Sequence, residues 1–207
     1  MGAGRLITIE GIDGAGKTTL AAALEDSLRA RGIDVVLMRE PGGVALSERI
    51  RELVKDPALA VGERAEALLY AASRAELVAE RVAPALEAGR WVLLDRYLDS
   101  SLAYQGGGRA LGVDAVRAIN EFATGGLAAD RVLLLAIDPA GGRARRGGRD
   151  EHPDRLEREG DAFFEAVAAT YAQLAAADPA RIRTLDATRA PAEVLAAALA
   201  ELEDLLA

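Results

Sequence analysis

Hydrophobic positions along the chain fall into two alternating kinds of run. Short, nearly unbroken aliphatic runs occur at 5–10 (RLITIE), 34–40 (DVVLMRE), 91–95 (WVLLD), 130–138 (DRVLLLAID) and 181–186 (RIRTLD). They are short and apolar throughout, which predicts strands buried on both faces. Between them lie stretches with apolar residues three and four apart: 20–32, 45–56, about 62–88, 113–123, about 157–177 and 191–206. That spacing predicts helices. Pro84 should end or kink the longest of them, which closes at Gly89. Strand and helix in alternation predict an α/β fold, a five-stranded parallel sheet flanked by helices in three layers. Ligands bind such sheets beyond the carboxyl ends of the strands. No repeat or linker divides the 207 residues, so a single domain over 1–207 is expected. The glycine- and arginine-rich segment at about 141–156 breaks the pattern and reads as a loop-like, mobile lid.

Composition narrows this picture. The chain is 51% hydrophobic but only 4% aromatic, so aliphatic packing must dominate the core. A net charge of −8 argues against a nucleic-acid-binding surface. The absence of cysteine excludes disulfides and thiolate metal sites and suits a reducing cytoplasm. No signal-like start and no apolar run of membrane-spanning length is present, so a cytoplasmic protein with no membrane partner is expected. Arginine supplies nearly all the positive charge; the lysines are Lys17 and Lys55. A lysine kept at 17 suggests a role that arginine does not fill.

The first strand runs into Gly11-Ile12-Asp13-Gly14-Ala15-Gly16-Lys17-Thr18-Thr19, and a helical pattern follows. Glycines let the backbone curl until several N–H groups converge on one anion. The following helix adds its positive end. Lys17 is placed to reach the β- and γ-phosphates of ATP, and the Thr18 hydroxyl to ligate Mg²⁺. Asp13 is unexpected beside phosphate. It is either a turn residue bonding its own backbone or a partner for a sugar hydroxyl on a second substrate.

Three further clusters follow strands. After 91–95 comes DRYLDSSLAYQG: Asp95 is placed to hold Mg²⁺ through water, and Arg96 to bind phosphoryl oxygens. Ser100, Ser101, Tyr104 and Gln105 either read a base edge or are a helix cap and ordinary surface residues. After 34–40 comes REPGG, with Glu40 and Pro41: a plain turn, or a rigid pocket wall with a cis bond before Pro41. Arg51 either meets an acceptor phosphate or lies on a solvated helix face. Tyr70 and Arg74, four apart on one helix face, are a base-stacking ring and a base-reading guanidinium, or a core tyrosine with a surface arginine. Arg143, Arg145, Arg146, Arg149 and Arg155 are solvated charges, or a lid that neutralises charge in a transition state.

Together EGIDGAGKTT, REPGG, LLYAASRAE, DRYLDSSLAYQG, DRLEREGDAFFEAV and LDATRAPAEV, in this order, resemble the bacterial thymidylate kinases, nucleoside monophosphate kinases of the P-loop NTPase type. The resemblance covers most of the chain. It implies transfer of the ATP γ-phosphoryl group to dTMP, with Mg²⁺, by a homodimer. It implies that Lys17 and Thr18 serve ATP and Mg²⁺, Asp13 the 3′-hydroxyl, and Arg51 and Arg96 the dTMP phosphate. Tyr70 stands at the family's stacking phenylalanine and Arg74 contacts thymine. Ser101 and Gln105 lie beside the base, and Tyr104 near the sugar. Val44 stands where threonine is usual. Gly14 stands where one group of the family carries a catalytic arginine, so the resemblance implies that Arg143, Arg145, Arg146 or Arg149 supplies it. His152 reads as a surface residue. A nucleoside kinase on the same scaffold is the nearer rival reading. A P-loop switch ATPase is the other; the sequence offers no guanine-reading N-K-x-D segment for it, since its lone asparagine, Asn120, is followed by Glu121.

Overall fold

The structure, a computed structural model, describes residues 4–146 and 154–206, Arg146 by its backbone alone. Arg149 and His152 lie outside the described residues. The strands β1 (Leu6–Glu10), β2 (Val35–Arg39), β3 (Trp91–Asp95), β4 (Arg131–Ala136) and β5 (Ile182–Asp186) form one parallel sheet in the order β2-β3-β1-β4-β5. All five lie within the runs read from the sequence. Alternate side chains enter two cores. Ile7, Ile9, Leu93, Leu133 and Leu135 face α1 (Lys17–Ala30) and α9 (Pro191–Ala200). Leu6, Val92, Leu94, Val132 and Leu134 face the opposite layer, which holds α3 (Glu63–Leu77) and α8 (Asp161–Ala177). This is the P-loop NTPase arrangement, with β1 central and β3 and β4 beside it.

Further helices complete the layers: α2 (Ala45–Lys55), α4 (Ala83–Glu87), α5 (Leu98–Ser101), which runs on as a π-helical segment over Leu102–Gly108, α6 (Val113–Thr124), α7 (Pro139–Arg146) and α10 (Glu203–Leu206). Pro84 does not end the helical run but lies just after a change in its winding. Its ring would meet the carbonyl four residues back in a regular helix. The chain widens to a π turn over Val78–Val82, where Ala83 N–H reaches Val78 O, and α4 then continues.

Two expectations change. The start of the supposed loop at 141–156 is helical, because α7 runs from Pro139 to Arg146. Asp138 Oδ1 accepts Gly141 N–H at 2.6 Å, and Pro139 supplies a pre-set φ at the first turn. The helix expected from about 157 starts at Asp161, after Gly160. Before it, Asp154 Oδ1 accepts the N–H groups of Leu156 and Glu157, both at 3.0 Å, and holds a turn instead.

Candidate active site

The phosphate loop joins β1 to α1. Gly16 has φ +99°, a left-handed conformation that an L side chain resists, and α1 begins at the next residue. Lys17 is buried and donates to Ile12 O at 2.9 Å, which curls its side chain back over the loop. Thr18 Oγ1 donates to Asp95 Oδ2 at 2.7 Å, uniting the end of β3 with the start of α1. A hydroxyl beside a carboxylate is a hard-oxygen pair that suits Mg²⁺. This ion keeps several waters and takes its other ligands from substrate phosphates, so no larger acidic cluster is needed.

Parallel pairing of β1 with β3 sets Ile9 opposite Asp95, so the residues following each strand meet. Arg96 adopts φ +73°, uncommon outside glycine and a frequent mark of functional sites. Its Nη2 donates to Asp13 Oδ1 at 2.6 Å and to Tyr104 OH at 3.2 Å. Its Nη1 donates to Gly11 O at 3.2 Å and Ser100 Oγ at 3.1 Å. Tyr104 OH donates to Asp13 Oδ2 at 3.1 Å. Asp13 is therefore a tertiary partner, not a turn residue bonding its own backbone. Burial alone would raise its carboxyl, but Arg96 and Lys17 hold it well below the usual carboxylate range. Burial, with the Arg96 charge beside it, pushes Lys17 down to about 8.

Beneath this knot lies Glu10, a residue absent from the sequence reading. It is fully buried. Its carboxylate accepts Tyr97 N–H at 2.8 Å, Ser100 Oγ–H at 2.5 Å and Tyr171 O–H at 2.8 Å. Burial and the nearby Asp99 charge push Glu10 up to about 7 against the bonds from Ser100 and Tyr171. An acid closing a strand looks like an ordinary surface charge, and no sequence signal marks it.

Arg74 overturns the surface-arginine half of the blander expectation, while Tyr70 packs against the core as that reading expected and also borders the cavity. Arg74 is only 1% exposed, while Tyr70 is partly open to the cavity. Arg74 Nε donates to Glu40 Oε2 at 2.8 Å and Nη2 lies 2.7 Å from the same oxygen. Nη2 also donates to Tyr97 O at 2.9 Å, and Nη1 donates to Ser101 Oγ at 3.0 Å and to Asn120 Oδ1. Asn120 thus has a structural task. The Glu40–Pro41 bond is cis, and Pro41 O accepts Arg51 Nη1 at 2.9 Å and Arg39 Nη1 at 3.1 Å. Val44, in place of threonine, is buried in the core. Glu48 instead accepts the Gly43 N–H at 2.7 Å.

These groups line one cavity of about 270 Å³. Its wall carries Asp13, Gly14, Gly16, Lys17, Thr18, Thr19, Glu40, Pro41, Arg51, Tyr70, Arg74, Asp95, Arg96, Ser100, Ser101, Tyr104 and Gln105. Arg39, Lys55, Asp154, Leu156 and Glu157 also line it and were not foreseen. Gly11 and Ile12 instead border a second cavity of about 770 Å³ between β4, β5 and α8, walled mainly by apolar residues such as Leu134, Ala172 and Ile182. Ala15 is packed into the core. Of the lid arginines, Arg143 forms an ion pair with Asp161, and Arg145 is exposed; neither lines the smaller cavity. Arg155 reaches inward to Glu66, at 2.6 Å. The lid backbone nonetheless touches the phosphate loop: a Cβ on Gly14 would stand 2.1 Å from Gly142 O. No helix among the described residues is long and apolar enough to cross a membrane.

The family model for thymidylate kinase matches residues 9–198. A thymidylate kinase of Rhizorhabdus wittichii is 48% identical over 207 residues, covering 98% of this chain and 99% of its own. One from Halorhodospira halophila is 46% identical, covering 98% and 95%. One from Deinococcus radiodurans is 51% identical over 189 residues, covering 91% of each chain.

Proposed function

This chain belongs to the thymidylate kinase family, and from that premise we propose how its residues share the work of phosphorylating dTMP. The enzyme transfers the γ-phosphoryl group of ATP to dTMP, giving ADP and dTDP for dTTP synthesis. A phosphate oxygen of dTMP attacks the γ-phosphorus while the bond to the ADP oxygen breaks. Little covalent chemistry falls to the protein, so positioning and charge neutralisation supply the catalysis.

In this reading Gly11 to Thr19 wrap the ATP phosphates. Lys17 moves from Ile12 O to the β- and γ-phosphates. Thr18 and Asp95 would hold Mg²⁺, which when bound would neutralise phosphate charge. Arg96 and Arg51 hold the dTMP phosphate, and Asp13 accepts the sugar 3′-hydroxyl beside Tyr104. Tyr70 stacks on thymine. Glu40 and Pro41 wall the pocket, and Ser100, Ser101 and Gln105 border the base and sugar. Arg74 shares an N–H with a base carbonyl in a three-centre bond. One of Arg143, Arg145, Arg146 and Arg149 reaches the transferring phosphoryl group when the lid closes. Residues 1–207 then act as one P-loop kinase domain with its lid at about 141–156.

One observation carries the assignment: a single cavity is lined by Lys17 and Thr18 and also by Tyr70, Arg74 and Gln105. This supports a reading in which phosphoryl donor and acceptor share one enclosure. The deciding assay compares dTMP, dUMP, dCMP, dGMP and dAMP as acceptors by coupled ADP release. Loss of the preference for dTMP would sink the base assignment.

A homodimer is part of the proposal. The helices α2, α3 and α6 expose Leu46, Leu53, Leu68 and Phe122, the last 93% exposed. Large apolar side chains exposed on neighbouring helices mark interaction surfaces. The cysteine-free sequence and the ATP requirement support a cytoplasmic location.

A further inference from the structure

Glu66 has no part in the assignments above. It lies on α3 one turn before Tyr70 and is 0% exposed. Three side chains converge on its carboxylate. Gln105 Nε2 donates to Oε1 at 2.9 Å. Arg109 donates to Oε1 at 3.3 Å and Oε2 at 3.1 Å. Arg155 Nη2 lies 2.6 Å from Oε2. Two guanidiniums balance the charge, and an ionised carboxylate offers acceptors only.

A side-chain amide has a donor end and an acceptor end of nearly equal shape, and its neighbours decide which faces where. Turning Gln105 over would set its oxygen against Glu66 Oε1, acceptor against acceptor. We propose that Glu66 is a positioning residue for base selectivity: it holds the Gln105 amide nitrogen inward, so the amide oxygen is offered to the base. This rests on the reading that Gln105 stands beside thymine. Thymine presents an N–H at ring position 3, and cytosine presents a bare acceptor nitrogen there. An amide oxygen accepts from the first and repels the second. An amide able to turn would serve both. Uracil shares thymine's edge, so Glu66 has no influence on the choice between dTMP and dUMP.

The test is the ratio of kcat/KM values for dTMP, dCMP and dUMP in Glu66→Gln. A glutamine at 66 can accept or donate, so Gln105 gains freedom to turn, while Arg109 keeps Glu159 at 2.6 Å. The dTMP-to-dCMP ratio should fall roughly tenfold, the worth of one oriented hydrogen bond, and the dTMP-to-dUMP ratio should hold. A fall shared equally by all three substrates overturns the proposal, since a purely structural role predicts that. Gln105→Leu separates the two layers of the argument. If it leaves the dTMP-to-dCMP ratio intact, Gln105 does not read the base and the underlying assignment fails. Glu40, whose Oε1 is buried with no protein partner among the described residues, is then the acceptor left. If Gln105→Leu lowers the ratio and Glu66→Gln does not, only the role of Glu66 fails. Should Glu66→Gln not fold, ¹⁵N-labelled wild-type enzyme with dTMP decides the matter. A slowly exchanging Gln105 side-chain NH₂ supports the proposal, and exchange as fast as in an exposed glutamine overturns it.

Discussion

Replacing Gly14 with alanine should uncouple phosphoryl transfer from dTMP binding. The added Cβ would stand 2.1 Å from Gly142 O, 2.8 Å from its carbonyl carbon and 3.1 Å from its Cα. These are backbone atoms of α7, which have no rotamer to escape into. Restoring an ordinary contact demands a retreat of the lid helix by roughly 1 Å. The local conformation, φ +86°, adds strain of about 1–2 kcal/mol for an L side chain. Arg143 and Arg145 ride on the same helix, so on the proposed lid-arginine reading the shift keeps them from reaching the phosphoryl group. A displacement of about 1 Å lowers a rate by about 100-fold. The expected result is a kcat reduced by that factor in a coupled ADP-release assay. Calorimetric affinity for dTMP should stay within about threefold of wild type, because of the acceptor contacts assigned above only Asp13 adjoins the overlap, and Arg51, Tyr70, Arg74 and Gln105 lie away from it. Gly142→Ala supplies a graded control: its Cβ would meet Asp13 O at 2.8 Å and Ile12 Cδ1 at 2.9 Å, a milder overlap. Its kcat should fall between wild type and Gly14→Ala. A Gly14→Ala enzyme with wild-type kcat, or the reverse order for the two variants, would refute the reasoning.

Single alanine replacements of Arg143, Arg145, Arg146 and Arg149 should leave dTMP affinity nearly intact, and at least one should lower kcat by about 1,000-fold; four fully active variants would remove the lid-arginine mechanism. Burial pushes Lys17 down to about 8, so kcat/KM for ATP should fall as pH rises through that value in the free enzyme. The fall in kcat should lie at higher pH, where bound phosphates hold the proton, and a flat profile across this range contradicts the role. Glu10 titrates at about 7 in the fold against an ordinary 4.5, so the native state holds the extra proton between those values. Its stabilising contribution is full below about 4.5 and is lost as pH rises through about 7, a change of order 3 kcal/mol. The stability advantage of wild type over Glu10→Gln, measured by urea unfolding, should shrink from pH about 4.5 to about 8; a constant difference argues against it. Phe122→Glu should halve the mass seen by light scattering, and an unchanged mass would move the dimer face elsewhere.

Much of the architecture was legible along the chain. The five aliphatic runs became the five strands because a run apolar on both sides has nowhere to go but a covered sheet. The motifs at their carboxyl ends met because parallel pairing aligns those ends. The helix at Pro139–Arg146 also carried a signal, Asp138 followed by Pro139, which the glycine–arginine composition masked. The π turn at Val78–Val82 was foreshadowed by Pro84 only as a disturbance, not as its particular remedy.

Residue chemistry and order along the chain were enough to point to a phosphate loop and a magnesium-suited hydroxyl and carboxylate, while the base-bearing acceptor came from the resemblance to a family. Local sequence carries the first two because each depends on a turn, a strand end or a helix start. The tertiary structure alone decided that Arg74 is buried and Tyr70 borders the cavity, since Glu40 and Asn120 approach from 34 and 46 residues away. It alone drew Glu10 and Glu66 inward, two acids that resemble solvated charges until their distant donors surround them. A buried charge is stable only with partners, and partners brought together by folding leave no mark in the spacing of a linear chain.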